Sequence, residues 1–184
     1  MKRRSFLKTA AALIPATTFE SFALAQAAAP PTSEQVHLVP AGEDRFGESH
    51  SYGFSNILFK FASRDTAGGM FIIEHINMKK GGPRLHLHSF QEEWFYVMDG
   101  EVVFQIGNDR KQLRAGESVL APRNIPHTFS CVSEKPGRML IAFTPAGKME
   151  QYFRDTAIPN PPIQDAAFFR RYGMELIGPS PFDA

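Results

Sequence analysis

Between Val36 and Phe143 the chain divides into nine short apolar runs, each closed by Gly, Pro, Asn or Asp. That cadence is the tightest limit on its fold. The runs are Val36–Val39, Ile57–Ala62, Met70–Met78, Leu85–His88, Glu93–Met98, Glu101–Ile106, Ser118–Ala121, His127–Val132 and Met139–Phe143. They are rich in Val, Ile, Phe and Tyr, the residues that suit a pleated, half-buried surface. Many short strands at this spacing predict an all-β sandwich or small barrel. Asp99-Gly100 reads as a two-residue hairpin, because both residues tolerate positive φ. Gly107-Asn108-Asp109, Ala115-Gly116 and Pro122-Arg123-Asn124 read as further turns, as do Asp65 and Thr66 ahead of Gly68-Gly69.

Beyond Pro145 the period changes. "GKMEQYFRDTA" sets Met149, Tyr152 and Phe153 on one helical face, "NPP" breaks the chain, and "IQDAAFFRRYG" reads as a second helix ended by Gly173. The expected organisation is a β-barrel over 34–145 and a helical appendage over 146–184. In Glu93–Met98 the residues Trp94, Phe95, Tyr96, Val97 and Met98 are apolar on both parities, so both faces ask for burial. Either the C-terminal helices or a second copy of the chain should cover the outer face, and the expectation is a homodimer.

The amino terminus carries Lys2, Arg3, Arg4 and Lys8, then an alanine-rich stretch with small residues around Ala23, Ala25 and Ala27. This is the layout of an export signal over 1–27, and "RRSFLK" resembles the twin-arginine motif. The expected location is periplasmic or secreted. Without 1–27 the chain retains 16 basic and 18 acidic residues, a net charge of about −2 with no basic run. That argues against nucleic acid or an anionic membrane as partner of the mature form; the partner expected is a small-molecule substrate, in an apolar pocket with few polar groups. Cys131 is the only cysteine, so no intramolecular disulfide forms.

His86 and His88 are one residue apart, so on a strand both leave the same face and two imidazoles can share a metal ion. Glu93 has the wrong parity to continue that face, so "SFQE" must turn. A further ligand has to come from another strand, and His127 opens one. Glu92 competes with Glu93 but fits better on the surface or rim. Phe95, Val97, Phe129 and Phe143 are core candidates, some of them for a pocket wall. Arg84 and Arg123 flank the ligands and read as solvated or as clamps for an anion, and His37, His50 and His75 read as packed or surface groups.

The spacing His86-x-His88-x4-Glu93-x6-Gly100, then Gly116-x5-Pro122-x4-His127, with 15 residues between, resembles the two motifs of the cupin superfamily. "PRNIPHTF", "GRMLIAFTPAG" and "RRYGMELIGPSP" resemble small quercetin-dioxygenase-like members. The resemblance implies a double-sheet jelly roll holding one divalent metal ion per chain through His86, His88, Glu93 and His127. Manganese or iron is favoured, with nickel, copper and zinc as alternatives. It further implies a dioxygenase for a small phenolic or enediol-like substrate, with Glu93 alternating between ligand and catalytic general base. A non-redox metal-binding cupin, either a binding or storage module or an isomerase, is the alternative. Three positions depart from the pattern. Lys80, followed by Gly81 and Gly82, replaces an early glycine; Asn124 replaces another, where positive φ is needed. Cys131 replaces an asparagine and should point inward near the pocket.

Overall fold

The computed structural model describes residues 36–182. Alternation along the strands builds two antiparallel sheets face to face. One sheet has six strands, β1 (His50–Tyr52), β2 (Ser55–Phe61), β3 (Phe71–Met78), β10 (Gly137–Thr144), β5 (Glu92–Asp99) and β8 (Ser118–Ala121), in that spatial order. The other has five, β11 (Met174–Gly178), β4 (Leu85–His88), β9 (His127–Cys131), β6 (Glu101–Ile106) and β7 (Asp109–Arg114). This is the expected all-β double-sheet jelly roll. On β5 the buried residues are Glu93, Phe95 and Val97, and on β10 they are Gly137, Met139, Ile141 and Phe143. With Phe59, Phe71, Ile73 and Phe104 they fill the space between the sheets. Each large side chain taken fully out of water there contributes roughly 1.5–3 kcal/mol.

Three strands escaped the sequence reading, β1, β7 and β11, and all three are sheet edges. β7 reads Asp-Arg-Lys-Gln-Leu-Arg and buries only Leu113, as an edge strand can when one side faces water. Val36–Val39 errs in the opposite direction. It joins neither sheet, and Val36 and Leu38 are 90% and 85% exposed.

Asp99-Gly100 is not a hairpin. β5 and β6 belong to different sheets, and Gly100, at φ 84°, turns the corner between them. Two-residue hairpins occur instead at Gly107-Asn108, closed by the Ile106–Asp109 pair of β6 and β7, and at Gly53-Phe54, closed by the Tyr52–Ser55 pair of β1 and β2. Asp65 and Thr66 lie in one 3-10 turn, where the Asp65 carboxylate accepts from the Ala62 N–H at 3.0 Å.

The segment after residue 145 is not wholly helical. It forms α1 (Met149–Thr156) and α2 (Ala166–Arg171), and then β11, which pairs with β4 and completes the barrel wall. Apolar positions at helical spacing found the two helices, whereas "MELIG" is too short to declare itself before its neighbour is known. The helices bury Met149, Tyr152, Phe153, Phe168 and Phe169 in the core. On the outer face of β5, Trp94 and Tyr96 stack on each other with ring centroids 5.9 Å apart and stay half-buried. No helix among the described residues is long and apolar enough to cross a membrane. The export signal expected over 1–27 lies outside the described residues.

Candidate metal centre

β4 is short and strictly alternating. His86 and His88 point inward and are buried, while Leu85 and Leu87 face the other way. Ser89 and Phe90 turn the chain, with the Ser89 N–H bonded to the Gly173 carbonyl at 3.0 Å. The chain then enters the opposite sheet and delivers Glu93 on the inner face of β5. His127 opens β9 directly across from His86. Ligand atoms of His86, His88, Glu93 and His127 all lie within 4.8 Å of one another, and all four residues are buried.

Two imidazoles are fixed by backbone carbonyls. The Nδ1 of His86 donates to the Arg84 carbonyl at 2.7 Å, and that of His127 to the Ile125 carbonyl at 2.9 Å. In His86 this puts the lone pair on Nε2, and in His127 it turns Nε2 toward Glu93, where a cation would replace the direct contact. The Glu93 Oε2 lies 2.9 Å from His127 Nε2 and 3.1 Å from His88 Nε2. Burial by itself would raise the Glu93 carboxyl, but its contacts with His127 and His88 outweigh that and hold it well below the carboxylate range. Burial pushes His86 down to about 3, and the neighbouring His127 and His88 act in the same direction. The cluster is therefore a carboxylate with a neutral imidazole, the protonation a cation requires.

These residues fit a metal ion. Both ring nitrogens of His88 are buried without an aligned hydrogen bond, Nε2 meeting only the Glu93 oxygen, and a cation at Nε2 would satisfy that atom. Three nitrogens and one carboxylate suit a divalent transition metal with coordination positions left for other ligands. A second cluster, Asp44, Glu48 and His50, also places three donors within 4.8 Å. There Asp44 is already taken by the N–H groups of Phe46, Glu48 and Phe59, and Arg154 binds Glu48, so a cation would meet a guanidinium.

A cavity of about 430 Å³ opens over the cluster, with His86 and Glu93 in its wall. Its apolar lining includes Phe54, Phe129, Phe143, Phe153 and Phe169. Phe129 and Phe143 thus line the pocket, while Phe95 and Val97 serve the core. Arg84 reaches the rim and donates to the Gln164 carbonyl at 3.1 Å. Arg123 instead forms a two-pronged ion pair with Glu92 on the surface, which accounts for the adjacent pair of glutamates.

Asn124 takes φ 62°, the conformation its glycine-like role requires. Cys131 does face inward and is buried, but it does not line the cavity. Four residues along β9 carry it about 13 Å from His127, to a place beside Gly137 and the Met78 carbonyl. His75 is the functional candidate that the sequence hid. It is 1% exposed, as a packed histidine would be, yet it lines the cavity with Tyr52 and Tyr152. A lone inward histidine on an apolar strand carries no local sign of what it faces.

Residues 74–143 match the cupin domain family. Over 60 residues the chain is 28% identical to the polyketide synthase CurC of Streptomyces cyaneus, a stretch that is 33% of this chain and 39% of that protein. The fold is similar to an RmlC-like cupin from Shewanella frigidimarina at 19% identity and a TM-score of 0.52, over 63% of this chain and 96% of that one. It is also similar to a protein from Thermus thermophilus at 19% identity and a TM-score of 0.50, over 60% of this chain and 98% of that one.

Proposed function

We propose that this chain, a cupin jelly roll with a buried three-histidine, one-glutamate cluster, is a metal-dependent oxidoreductase. In that reading it is a dioxygenase for a small phenolic or enediol-like substrate. The observation that carries it is the junction of four converging ligand atoms with a cavity of about 430 Å³ walled by aromatic rings. Such a cavity takes a planar, weakly polar ring and offers little to a small dianion.

The bound ion would be held by His86, His88, Glu93 and His127, and would supply Lewis acidity and redox chemistry toward O2. The chain's own part is more specific. Glu93 is the one anionic ligand and lines the cavity, so its carboxylate can take the proton of a substrate hydroxyl as that oxygen approaches. His86 and His127 stay oriented meanwhile, because their carbonyl partners do not change. Phe143, whose ring centroid is 5.7 Å from that of His88, and Phe129 exclude water from the reacting side.

Oxygen uptake by metal-loaded protein with a panel of phenols and enediols tests the reading. Substrate-dependent uptake that disappears on chelation is expected. Tight binding of ring compounds recovered unchanged, with no uptake across the panel, would favour the non-redox alternative. The proposal includes export through the twin-arginine route, a periplasmic or secreted location, and a homodimer.

A further inference from the structure

The cavity holds a second set of polar side chains that takes no part in the ligand cluster. Tyr152 donates its hydroxyl to Gln164 Oε1 at 2.9 Å, so it must receive the Tyr52 hydroxyl, 3.0 Å away. That chain of donation spends the Tyr52 proton and leaves its oxygen with acceptor capacity. Burial raises the Tyr52 hydroxyl to about 12, and Tyr152 well above the ordinary range, so both stay protonated.

His75 stands beside Tyr52, with ring centroids 6.1 Å apart, and stacks on Phe54 at 5.6 Å and 5°. Its Nδ1 is 2.7 Å from Ser55 Oγ, which leaves Nε2 as the uncommitted polar atom of a ring that lines the cavity. Ser55 Oγ also lies 3.5 Å from the Tyr52 carbonyl. Oγ can donate to Nδ1 or accept from Nδ1–H, and either tautomer leaves Nε2 free toward the cavity. Burial lowers His75 to about 4, so the ring is neutral. Phenylalanine would fill this place between Phe54 and Phe129 with no polar group to satisfy. A neutral imidazole aligned by serine, next to a tyrosine aligned by another tyrosine, is a pair of polar groups open to a hydroxyl, which can both donate and accept.

We propose that His75 and Tyr52 form a second anchor, which receives a hydroxyl of the substrate remote from the oxygen bound at the metal. The substrate is then a two-ended hydroxylated aromatic, with one oxygen at the ligand cluster and another hydroxyl at His75 and Tyr52. This rests on the phenolic reading above and narrows it. His75 and Tyr52 act as binding and specificity residues, and Ser55 and Tyr152 position them.

The test is calorimetric binding to zinc-loaded protein, which cannot turn over by redox chemistry. The one-ended probe is a naphthalene with two vicinal hydroxyls. The two-ended probes carry one more hydroxyl on the distal ring, at each position in turn. At least one two-ended probe should bind wild type about tenfold tighter than the one-ended probe. In His75→Phe and Tyr52→Phe that ratio should fall toward one, and Ser55→Ala, which leaves the imidazole in place, should lower it as well. The anchor is overturned if no added hydroxyl tightens binding to wild type, or if the variants weaken both kinds of probe equally. A one-ended probe that binds only the metal-loaded form, with no gain from any added hydroxyl, leaves the phenolic reading intact and removes the anchor alone. If neither kind of probe binds metal-loaded wild type, the phenolic reading itself fails.

Discussion

His86 and His127 face each other across β4 and β9 as directly paired residues, with ring centroids 4.8 Å apart. Each side chain is tied through Nδ1 to the carbonyl two residues before it, Arg84 for one and Ile125 for the other. The same local device, used on two neighbouring strands, aims two Nε2 atoms into one space. His88 and Glu93 complete that space from the same strand and from the opposite sheet.

Replacing His86, His88 or His127 with alanine should each weaken metal binding by at least about 100-fold, since even outer partners of ligands cost 10–100-fold. The barrel should stay folded, because its stability rests on apolar burial. Glu93→Gln should retain more metal than these and lose activity out of proportion, as it keeps an oxygen donor and loses the base. Elemental analysis after dialysis, with circular dichroism as the folding control, decides this. Full occupancy in the three alanine variants would end the assignment.

Acid stability should report on His75. Its folded pKa of about 4 lies below the ordinary 6.5, chiefly through burial, with the Glu93 charge partly opposing. The folded chain therefore binds this proton less readily than the unfolded chain. The resulting loss of stability begins as the pH falls below 6.5 and is complete near 4, on the order of 3 kcal/mol. Metal-free His75→Phe should show a correspondingly shallower decline over that window in denaturant titrations. Parallel declines for the two proteins would show that His75 is not the buried neutral imidazole described above.

Changing Arg3 and Arg4 to lysine should hold the precursor in the cytoplasm, since the twin-arginine route reads the arginine pair itself. Fractionation of cells expressing each form is the measurement. Undiminished periplasmic accumulation of the lysine form would assign export to the general secretory route.

Native protein should carry manganese or iron. Nitrogen and oxygen ligands follow the Irving–Williams order, so copper or zinc wins in open competition. A chain exported already folded closes its site where free copper and zinc are kept low. Protein refolded from denaturant in mixed metals should take up copper or zinc instead. Stoichiometric zinc or copper in protein isolated from its native cells would refute the expectation.

Side-chain parity and hydrophobic pattern are properties of a few consecutive residues, and what depends on them was legible in the sequence. The runs that became β4, β6 and β8 match their observed bounds, and the inward pairing of His86 with His88 follows from their spacing. Asn124 at positive φ was legible for the same reason. The edge strands were not, since β7 needs only Leu113 in the core and β11 gains meaning only from its hydrogen bonds to β4. Nor could local pattern reveal that the chain changes sheets between β4 and β5, which sends Glu93 to the histidines from the opposite wall, and changes back at Asp99-Gly100. His75 is the sharpest case. Its neighbours along the chain mark it as buried, while Ser55, Tyr52 and the cavity reach it from β2, β1 and the space between the sheets. Contacts between residues distant in sequence settle which buried polar group faces apolar packing and which faces a ligand, and tertiary structure alone makes those contacts.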